Sequence, residues 1–240
     1  MDKNQFIKKI KEQAKLINIE LTDLQGGQLY IYMKLLLEWN EKMNLTAITE
    51  IEDIIKKHFI DSLTINSYIK ETEKVIDVGT GAGFPGIPLK ILKEKCEVVL
   101  LDALNKRLNF LEEVINRNNL QNISTVHYRA EEAGKDRKYR EKFDVATSRA
   151  VAPLNVLVEY LLPLVKIGGK CICMKGSNIR EEIEQSEKAI SVLGGKIEKV
   201  DEFRLPDSDM ARSIIIVRKI VNTPEKYPRK AGTPNKEPIV

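Results

Sequence analysis

The strongest chemical signature in the chain is the stretch D-V-G-T-G-A-G-F-P-G-I-P-L, from Asp77 to Leu89. Four glycines fall within eight residues, after the apolar pair Val75-Ile76 and before a helical pattern. Glycine permits positive φ and lets a ligand approach the backbone closely, so this strand-to-helix turn indicates a site for an elongated ligand with a ribose and a nucleobase. An ordinary connection would not need four glycines, because each costs up to ~1 kcal/mol at a helical position.

Two ligand classes fit this turn. The segment 81–86 matches the dinucleotide pattern G-x-G-x-x-G, so NAD(P) is a candidate. S-adenosylmethionine is favoured by Asp77, whose carboxylate suits a sulfonium and an ammonium but opposes a pyrophosphate. Pro85 also lacks an N–H that a pyrophosphate would use, and a long helical segment precedes the turn. Asp102, at the end of the next predicted strand, suits the ribose hydroxyls of either ligand and does not discriminate.

The elements that must position this turn alternate between strands and helices. Residues 4–70 have a helical pattern, and Gly26-Gly27 is predicted to mark a helix boundary. Seven short β-rich runs follow: 74–78, 97–102, 123–128, 143–148, 170–175, 196–203 and 211–219. Intervening helical segments predict a parallel, doubly wound sheet, and the short link between the last two runs predicts an antiparallel closing strand. This is the outline of a Rossmann-like class I S-adenosylmethionine-dependent methyltransferase fold.

We expect three parts along the chain. An N-terminal helical extension packed on the core covers 1–70, the Rossmann-like domain covers 71–220, and a basic, proline-rich C-terminal tail covers 221–240. From Arg218 onward the chain has six lysines and arginines against two acids, whereas the preceding residues hold 33 of each. The segment from Arg218 onward therefore carries the whole net charge of +4, together with four of the nine prolines. Such a segment is either a solvated, poorly ordered end or a contact for a polyanion.

Composition excludes several classes of protein. With 240 residues, 42% hydrophobic and 31% charged, the chain is typical of a globular protein with one substantial core. The start M-D-K-N-Q-F lacks a signal-peptide profile, and no apolar run reaches ~18 residues. Cys96, Cys171 and Cys173, with two distant histidines, give neither a disulfide framework nor a metal site. We expect a cytoplasmic monomer without membrane segments or metal.

Several further motifs give a specific resemblance. They are N-L-T-A-I (44–48), H-F-I-D-S-L (58–63), the glycine turn (77–89), R-A-E-E (129–132), S-R-A-V-A-P-L (148–154), M-K-G (174–176) and R-K-A-G-T-P-N-K-E-P (229–238). In this order, and over nearly the whole chain, the sequence resembles the bacterial 16S ribosomal RNA guanine-N7 methyltransferases, the glucose-inhibited division protein B family. The resemblance implies S-adenosylmethionine as cofactor and 16S ribosomal RNA of the small subunit as partner.

The resemblance also implies which residues bind the methyl donor. All of them follow the carboxyl ends of predicted parallel strands, where open α/β sheets bind ligands. Asp102 would take the ribose, and Ala130 and Glu131 would meet the adenine edge. The full set is Asp77, Gly79, Gly81, Phe84, Asp102, Ala103, Leu104, Ala130, Glu131 and Arg149. Glu131 as a solvated first-turn acid of a helix, and Arg149 as a surface ion-pair partner, are the alternatives.

The loop after the fourth strand bears on the methyl acceptor. It reads S-R-A-V-A-P and lacks the Asn/Asp-Pro-Pro-aromatic pattern of exocyclic-amine methyltransferases. A cytosine-C5 enzyme needs a cysteine beside a proline, whereas Cys171 and Cys173 lie on one side of a strand and are predicted core thiols. With exocyclic amines and cytosine C5 disfavoured, guanine N7 is the acceptor that fits this loop, because its lone pair is available at neutral pH. We therefore predict no catalytic acid or base, and positioning supplies ~7–11 kcal/mol.

Contacts to RNA are predicted in two places. In the tail, Arg229, Lys230 and Lys236 can meet phosphates, and the aromatic Tyr227 can stack on an unpaired base. His58 can touch RNA, although capping and packing explain it equally well. Two further hypotheses stay open at this stage: an NAD-dependent oxidoreductase, and a non-catalytic RNA- or partner-binding module.

Overall fold

A central β-sheet organises the protein. The computed structural model describes residues 1–177 and 179–240, and within them a seven-stranded sheet has the order β3-β2-β1-β4-β5-β7-β6. The strands are β1 (Lys74–Val78), β2 (Glu97–Asp102), β3 (Ile123–His127), β4 (Phe143–Arg149), β5 (Val165–Lys175), β6 (Gly195–Arg204) and β7 (Ala211–Lys219). β1 to β5 pair in parallel, whereas β7 pairs antiparallel with both β5 and β6. The predicted antiparallel closing strand is confirmed.

Helices cover the sheet on both faces. They are α1 (Lys3–Lys15), α2 (Asp23–Met43), α3 (Ile51–Asp53), α4 (Asp61–Leu63), α5 (Gly86–Leu92), α6 (Asn105–Arg117), α7 (Ala130–Ala133), α8 (Leu154–Leu161), α9 (Arg180–Glu184), α10 (Glu187–Val192) and α11 (Thr233–Lys236). The chain runs from β1 outward to β2 and β3 and then crosses back to β4 on the other side of β1, so the strand order reverses between β1 and β4 and leaves a crevice at their carboxyl ends. Open α/β sheets bind ligands at this position.

The N-terminal helices start at side-chain caps. Asp2 with Gln5, and Thr22 with Gln25, form reciprocal capping boxes that begin α1 and α2. The predicted boundary at Gly26-Gly27 is wrong, because α2 runs straight through it. A Cβ at Gly26 would lie 3.0 Å from Cγ2 of Ile7, so this glycine allows close approach of α1 and α2.

The segment that follows α3 is a π-helix, Ile54–Ile60, which continues directly into α4. His58, Phe59 and Ile60 are buried on it. A wider helical turn of this type is often found at functional sites. It brings residues of the N-terminal extension to the carboxyl edge of the sheet.

Two apolar cores lie on the opposite faces of the sheet. The first joins the N-terminal helices to α5 and α6, with Phe6, Tyr32, Phe59 and Phe110 fully buried. The second includes α8, α10 and the buried Cys171 and Cys173, which confirms the predicted core thiols. Tyr227 and Ile239 of the C-terminal tail pack against this second core.

Two predicted elements differ in their bounds. β5 begins at Val165 rather than at residue 170, so it carries Gly168 and Gly169 within the strand. The helical segment predicted between the fifth and sixth strands is divided into α9 and α10. The hydroxyl of Ser186, at the break, donates to the carbonyl of Glu182. Ser side chains that bond the backbone in this way weaken helix continuity.

Candidate active site

The glycine turn begins where β1 ends. The N–H groups of Gly79 and Thr80 donate to the carbonyl of Leu101, at 2.8 and 3.1 Å, which ties the turn to the end of β2. Gly79 has a φ of +67° and Gly83 a φ of +97°. A Cβ at Gly83 would lie 2.6 Å from Oη of Tyr32. Glycine is therefore required at Gly83 by both conformation and space.

Asp77 braces the turn from within. Its side chain is 0% exposed, and its Oδ2 accepts from the Thr80 hydroxyl at 2.6 Å and from the Gly86 N–H at 2.9 Å. Oδ1 has no hydrogen-bond partner. Burial raises the pKa of Asp77 to about 6, partly offset by these two hydrogen bonds. The carboxylate is therefore enclosed beneath the turn, and its predicted contact with the charged donor stays a prediction.

The N-terminal extension supports the turn from the other side. The Tyr32 hydroxyl donates a short hydrogen bond to the carbonyl of Ala82, and its ring stacks on Phe84 at 5.3 Å between centroids. The His58 ring stacks on Phe84 at 4.5 Å, and the Arg149 guanidinium lies 4.9 Å from the centroid of Phe84. Phe84 is thus nearly buried, and its ring joins the extension to the end of β4.

Arg149 is held by many acceptors rather than by one surface partner. Its Nη1 donates to Oδ2 of Asp61 at 3.1 Å and to the carbonyl of Lys57 at 3.2 Å. The same carboxylate accepts from Nε of Arg212 at 3.0 Å through Oδ1. Charge-assisted contacts to a buried carboxylate fix the orientation of both guanidinium groups. The alternative of a surface ion pair for Arg149 is therefore wrong.

His58 belongs to the same cluster. Burial, and then the charge of Arg149, lower its pKa to about 4, so its imidazole is neutral at physiological pH. One ring nitrogen lies 2.8 Å from Oγ1 of Thr46 and the other 3.3 Å from Nη2 of Arg149. A neutral imidazole in these contacts positions Arg149 and cannot serve as a phosphate-binding cation.

Asp102 ties the end of β2 to the glycine turn. Its Oδ2 accepts from the Gly81 N–H at 2.9 Å, and its Oδ1 accepts from the Leu104 N–H at 2.9 Å. A carboxylate has about four lone-pair sites, so capacity remains for ribose hydroxyls. Ala103, the next residue, lines the crevice. The side chain of Leu104 is exposed.

A cavity of about 380 Å³ lies over the carboxyl ends of β1, β2 and β3. Its walls combine apolar surface with a few polar groups, as is usual for nucleoside sites. The lining residues are Val78, Gly79, Leu101, Ala103, Tyr128, Arg129, Ala130, Glu131, Val151, Ala152, Tyr160, Gly232 and Asn235. We name it the donor cavity, because the predicted donor residues Gly79, Ala103, Ala130 and Glu131 meet there.

A second cavity of about 750 Å³ adjoins the donor cavity and shares Val151 and Ala152 with it. We name it the acceptor cavity. It is lined by Ile48, Lys57, His58, Asp61, Arg149, Ala150, Val151, Ala152, Pro153, Met174, Lys175, Gly176, Glu182 and Arg212. Four cations against two carboxylates give it a positive balance.

The C-terminal tail is ordered and does not extend into solvent. Arg229 pairs with the fully buried Glu159, with Nη2 to Oε2 at 2.7 Å. This corrects the expectation that Arg229 meets RNA, because its guanidinium is committed to a carboxylate of its own chain. Lys230 and Lys236 are exposed, and their contact with RNA stays a prediction. His127 is exposed on β3, with Nε2 3.0 Å from the carbonyl of Ala103.

Sequence reasoning missed several residues of the site. Tyr32 lies 50 residues before its partner Ala82, and Gly232 and Asn235 lie more than 100 residues after β2. Nothing in local spacing places them at the crevice. One signal was present for the tail: the run 229–238 is among the motifs that carry the family resemblance, and two of its residues, Gly232 and Asn235, line the donor cavity.

The fold defines the class of protein. The sheet order, the antiparallel β7 and the glycine turn at the end of β1 are those of a class I methyltransferase. Solved structures share this fold at 12–18% identity. A putative transferase of Pyrococcus horikoshii has a TM-score of 0.54, covering 66% of this chain and 61% of that chain at 17% identity. M. jannaschii TYW2, solved in complex with AdoMet, has a TM-score of 0.51, covering 63% and 71%, also at 17% identity.

Sequence relatives define the family. A family model described as rRNA small subunit methyltransferase G matches residues 25–212. Ribosomal RNA small subunit methyltransferase G of Alkaliphilus oremlandii is 56% identical over 96% of this chain and 97% of its own length. The protein of that name from Acetivibrio thermocellus is 55% identical over 95% and 94%. The chain belongs to this family, which confirms the resemblance.

Family membership decides between the hypotheses. The protein is a methyltransferase, and S-adenosylmethionine is its methyl donor. The NAD-dependent oxidoreductase and the non-catalytic module are both wrong. Among the described residues, no group of three or more metal-ligating side chains is found. No described helix is long and apolar enough to cross a bilayer.

Proposed function

We propose that the protein methylates N7 of a guanine in 16S ribosomal RNA of the small ribosomal subunit by direct transfer. The substrate class follows the names of its relatives, which are ribosomal RNA small subunit methyltransferases. The observation that carries the proposal is the contact between the two cavities. A cation-lined cavity of about 750 Å³ adjoins the donor cavity across Val151 and Ala152.

The donor cavity suits S-adenosylmethionine. Gly79 presents bare backbone there, and a Cβ at this position would lie 2.8 Å from Cγ2 of Val151. Ala103 and Ala130 leave room for a nucleoside, while Asp102 stands at the end of β2 for ribose hydroxyls. When bound, S-adenosylmethionine supplies an activated methyl group on its sulfonium. Gly81 and Phe84 contribute to the donor site by shaping the glycine turn and the surface beneath it.

The acceptor cavity suits a single nucleotide taken out of its RNA stack. Its volume falls within the range of small-ligand sites, about 300–1,000 Å³. Lys57, Lys175 and Arg212 each pair with a carboxylate, yet the lining as a whole keeps a net positive charge that favours phosphates. Enzymes that modify a base in a duplex must extrude it to reach the target atom. Lys230 and Lys236 on the exposed tail extend the cationic surface available to RNA.

Direct transfer without a general base fits the groups that line the acceptor cavity. The Asp61 carboxylate is shared by two arginines, and Glu182 accepts from Lys175 and from the Leu154 N–H. The His58 imidazole lies between Thr46 and Arg149. These groups are committed to internal contacts, so the protein acts by holding the base and excluding water. Such positioning supplies about 7–11 kcal/mol.

The test is methyl transfer to 16S ribosomal RNA in small subunits, with the product mapped by chemical cleavage specific for N7-methylguanosine. We expect one cleavage site, and no transfer when 7-deazaguanine replaces the target guanine. The rate should stay flat between about pH 6.5 and 8.5, since no group must lose a proton. A methyl group on an exocyclic amine or on cytosine C5 would overturn the proposal.

A further inference from the structure

We propose that the turn 232–235 of the C-terminal tail is a wall of the methyl-donor site and contacts the nucleoside of the donor. The inference rests on the proposed assignment of the donor cavity. It extends the site to a segment more than 80 residues beyond the last of the strand-end donor residues, Arg149. The tail then mainly affects the affinity for the cofactor, and its effect on the affinity for RNA is secondary.

A buried carboxylate anchors the tail. Glu159 on α8 is 0% exposed, and its Oε1 accepts from the main-chain N–H of Arg229 at 2.8 Å and from Nε at 3.0 Å. Its Oε2 accepts from Nη2 at 2.7 Å. Nη1 of Arg229 donates to the carbonyl of Glu237 at 2.7 Å, which closes the tail into a loop. A buried bidentate pair of this kind fixes the segment in one position.

A second arginine anchors the start of the tail. Nη1 of Arg140 donates to the carbonyls of Gly134 at 2.7 Å and Tyr227 at 2.8 Å. Nη2 donates to the carbonyl of Thr223 at 2.6 Å. This guanidinium therefore joins the tail to the segment that follows α7. These hydrogen bonds hold the tail beside α7, which carries the predicted adenine-edge residues.

The turn itself touches a predicted donor residue. The Gly232 N–H donates to Oε1 of Glu131 at 2.8 Å, and Glu131 is 7% exposed. Gly232 has a φ of +82°, a conformation that favours glycine, and a Cβ there would meet no atom within 4 Å. Glycine is thus needed for the backbone geometry that aims this N–H at Glu131.

Asn235 completes the wall. It lines the donor cavity together with Gly232, while the adjoining Pro234 is buried. The Asn235 carboxamide has an NH2 group that donates and a carbonyl oxygen that accepts. It can therefore pair with an adenine edge, which offers a ring nitrogen as acceptor and an amino group as donor. A contact to phosphate would instead favour a cation here. The polar group that faces this cavity from the tail is therefore suited to a nucleoside.

The experiment titrates S-adenosylhomocysteine into the full-length protein by calorimetry and follows hydrogen exchange of tail amides without ligand. The double variant Glu159→Gln with Arg229→Gln removes the ion pair without leaving either charge alone. We expect faster exchange across 229–236 and an affinity at least about tenfold lower. Asn235→Ala should keep the wild-type exchange and lower the affinity about 3- to 10-fold, the effect of one lost neutral hydrogen bond.

The control is Lys226→Gln, which removes a cation from the same tail and should change neither exchange nor affinity. Two results would overturn the proposal: a loosened tail with unchanged S-adenosylhomocysteine affinity, or full affinity in Asn235→Ala. These readouts involve no methyl transfer, so a product other than N7-methylguanosine would refute the proposed function and leave this result standing.

Discussion

Replacing Asp77 with asparagine separates two roles for this carboxylate: bracing the glycine turn and facing the charged donor. Asparagine keeps one oxygen to accept from the Thr80 hydroxyl and the Gly86 N–H, which the structure places at 2.6 and 2.9 Å. The amide nitrogen would take the position of Oδ1, which has no partner. The buried N–H groups add a cost of about 1–3 kcal/mol that does not vary with pH.

The size of the expected effect follows from the pH dependence of the folding stability. Burial raises the pKa of Asp77 from 3.8 to about 6, so the folded protein holds this proton more tightly than the unfolded chain. The resulting stability is fully present below pH 3.8 and is lost as pH rises through about 6. A shift of about two units corresponds to about 3 kcal/mol. The Asp77→Asn variant lacks this term, so its stability relative to wild type should rise by about 3 kcal/mol from pH 4 to pH 7.

Urea unfolding at several pH values measures this difference directly. Other titrating groups, including His58 with its pKa of about 4, contribute equally to both proteins and cancel. Glu20→Gln, which removes an exposed carboxylate, is the control and should not show the rise. A stability difference between Asp77→Asn and wild type that stays flat from pH 4 to pH 7 would refute the description of a buried, desolvated carboxylate.

The functional part of the same test is the affinity for S-adenosylhomocysteine. If Asp77 only braces the turn, the asparagine variant should bind within about threefold of wild type. If the carboxylate meets the ligand's ammonium, the loss should be about 10- to 150-fold, the equivalent of a charged hydrogen bond of about 1.5–3 kcal/mol. We expect the first result, since the carboxylate is enclosed beneath the turn.

Three further perturbations test the site. Gly79→Ala should lower the affinity for S-adenosylhomocysteine at least about tenfold. The control Gly168→Ala has a similar positive φ but open space around its Cβ, so it should show the same backbone cost of about 1–2 kcal/mol in stability and keep the affinity. Equal affinities in the two variants would contradict the assignment of Gly79 to the donor site. Asp102→Ala should weaken donor binding by about 1.5–3 kcal/mol in calorimetry, and an unchanged value would move the ribose contact elsewhere. Replacing Lys230 and Lys236 with glutamine should leave donor affinity intact and reduce the slope of log RNA affinity against log salt by about 1.4, at about 0.7 per phosphate contact; an unchanged slope would show a merely solvated pair.

The strands and the glycine turn could be predicted because their signals are local. β1, β2 and β7 have the predicted bounds, since each is a short β-branched run flanked by turn or helix signals. The turn lies at the carboxyl end of β1 because its glycines directly follow that strand along the chain. The boundary predicted at Gly26-Gly27 failed for the opposite reason. Glycine there serves a contact with α1 that no local pattern reveals.

By itself, the sequence determined the fold class, the succession of strands along the chain, the glycine turn as the expected site of the methyl donor, and the family. These depend on periodicity, on glycine's conformational freedom and on motifs read in order along the chain. Only the tertiary structure decided what the charged groups do. It encloses Asp77, neutralises His58 beside Arg149 and pairs Arg229 with a buried Glu159, against the expectation of an RNA contact. The physical reason is that the role of a charge depends on its burial and its partners, and those partners lie up to 91 residues away along the chain.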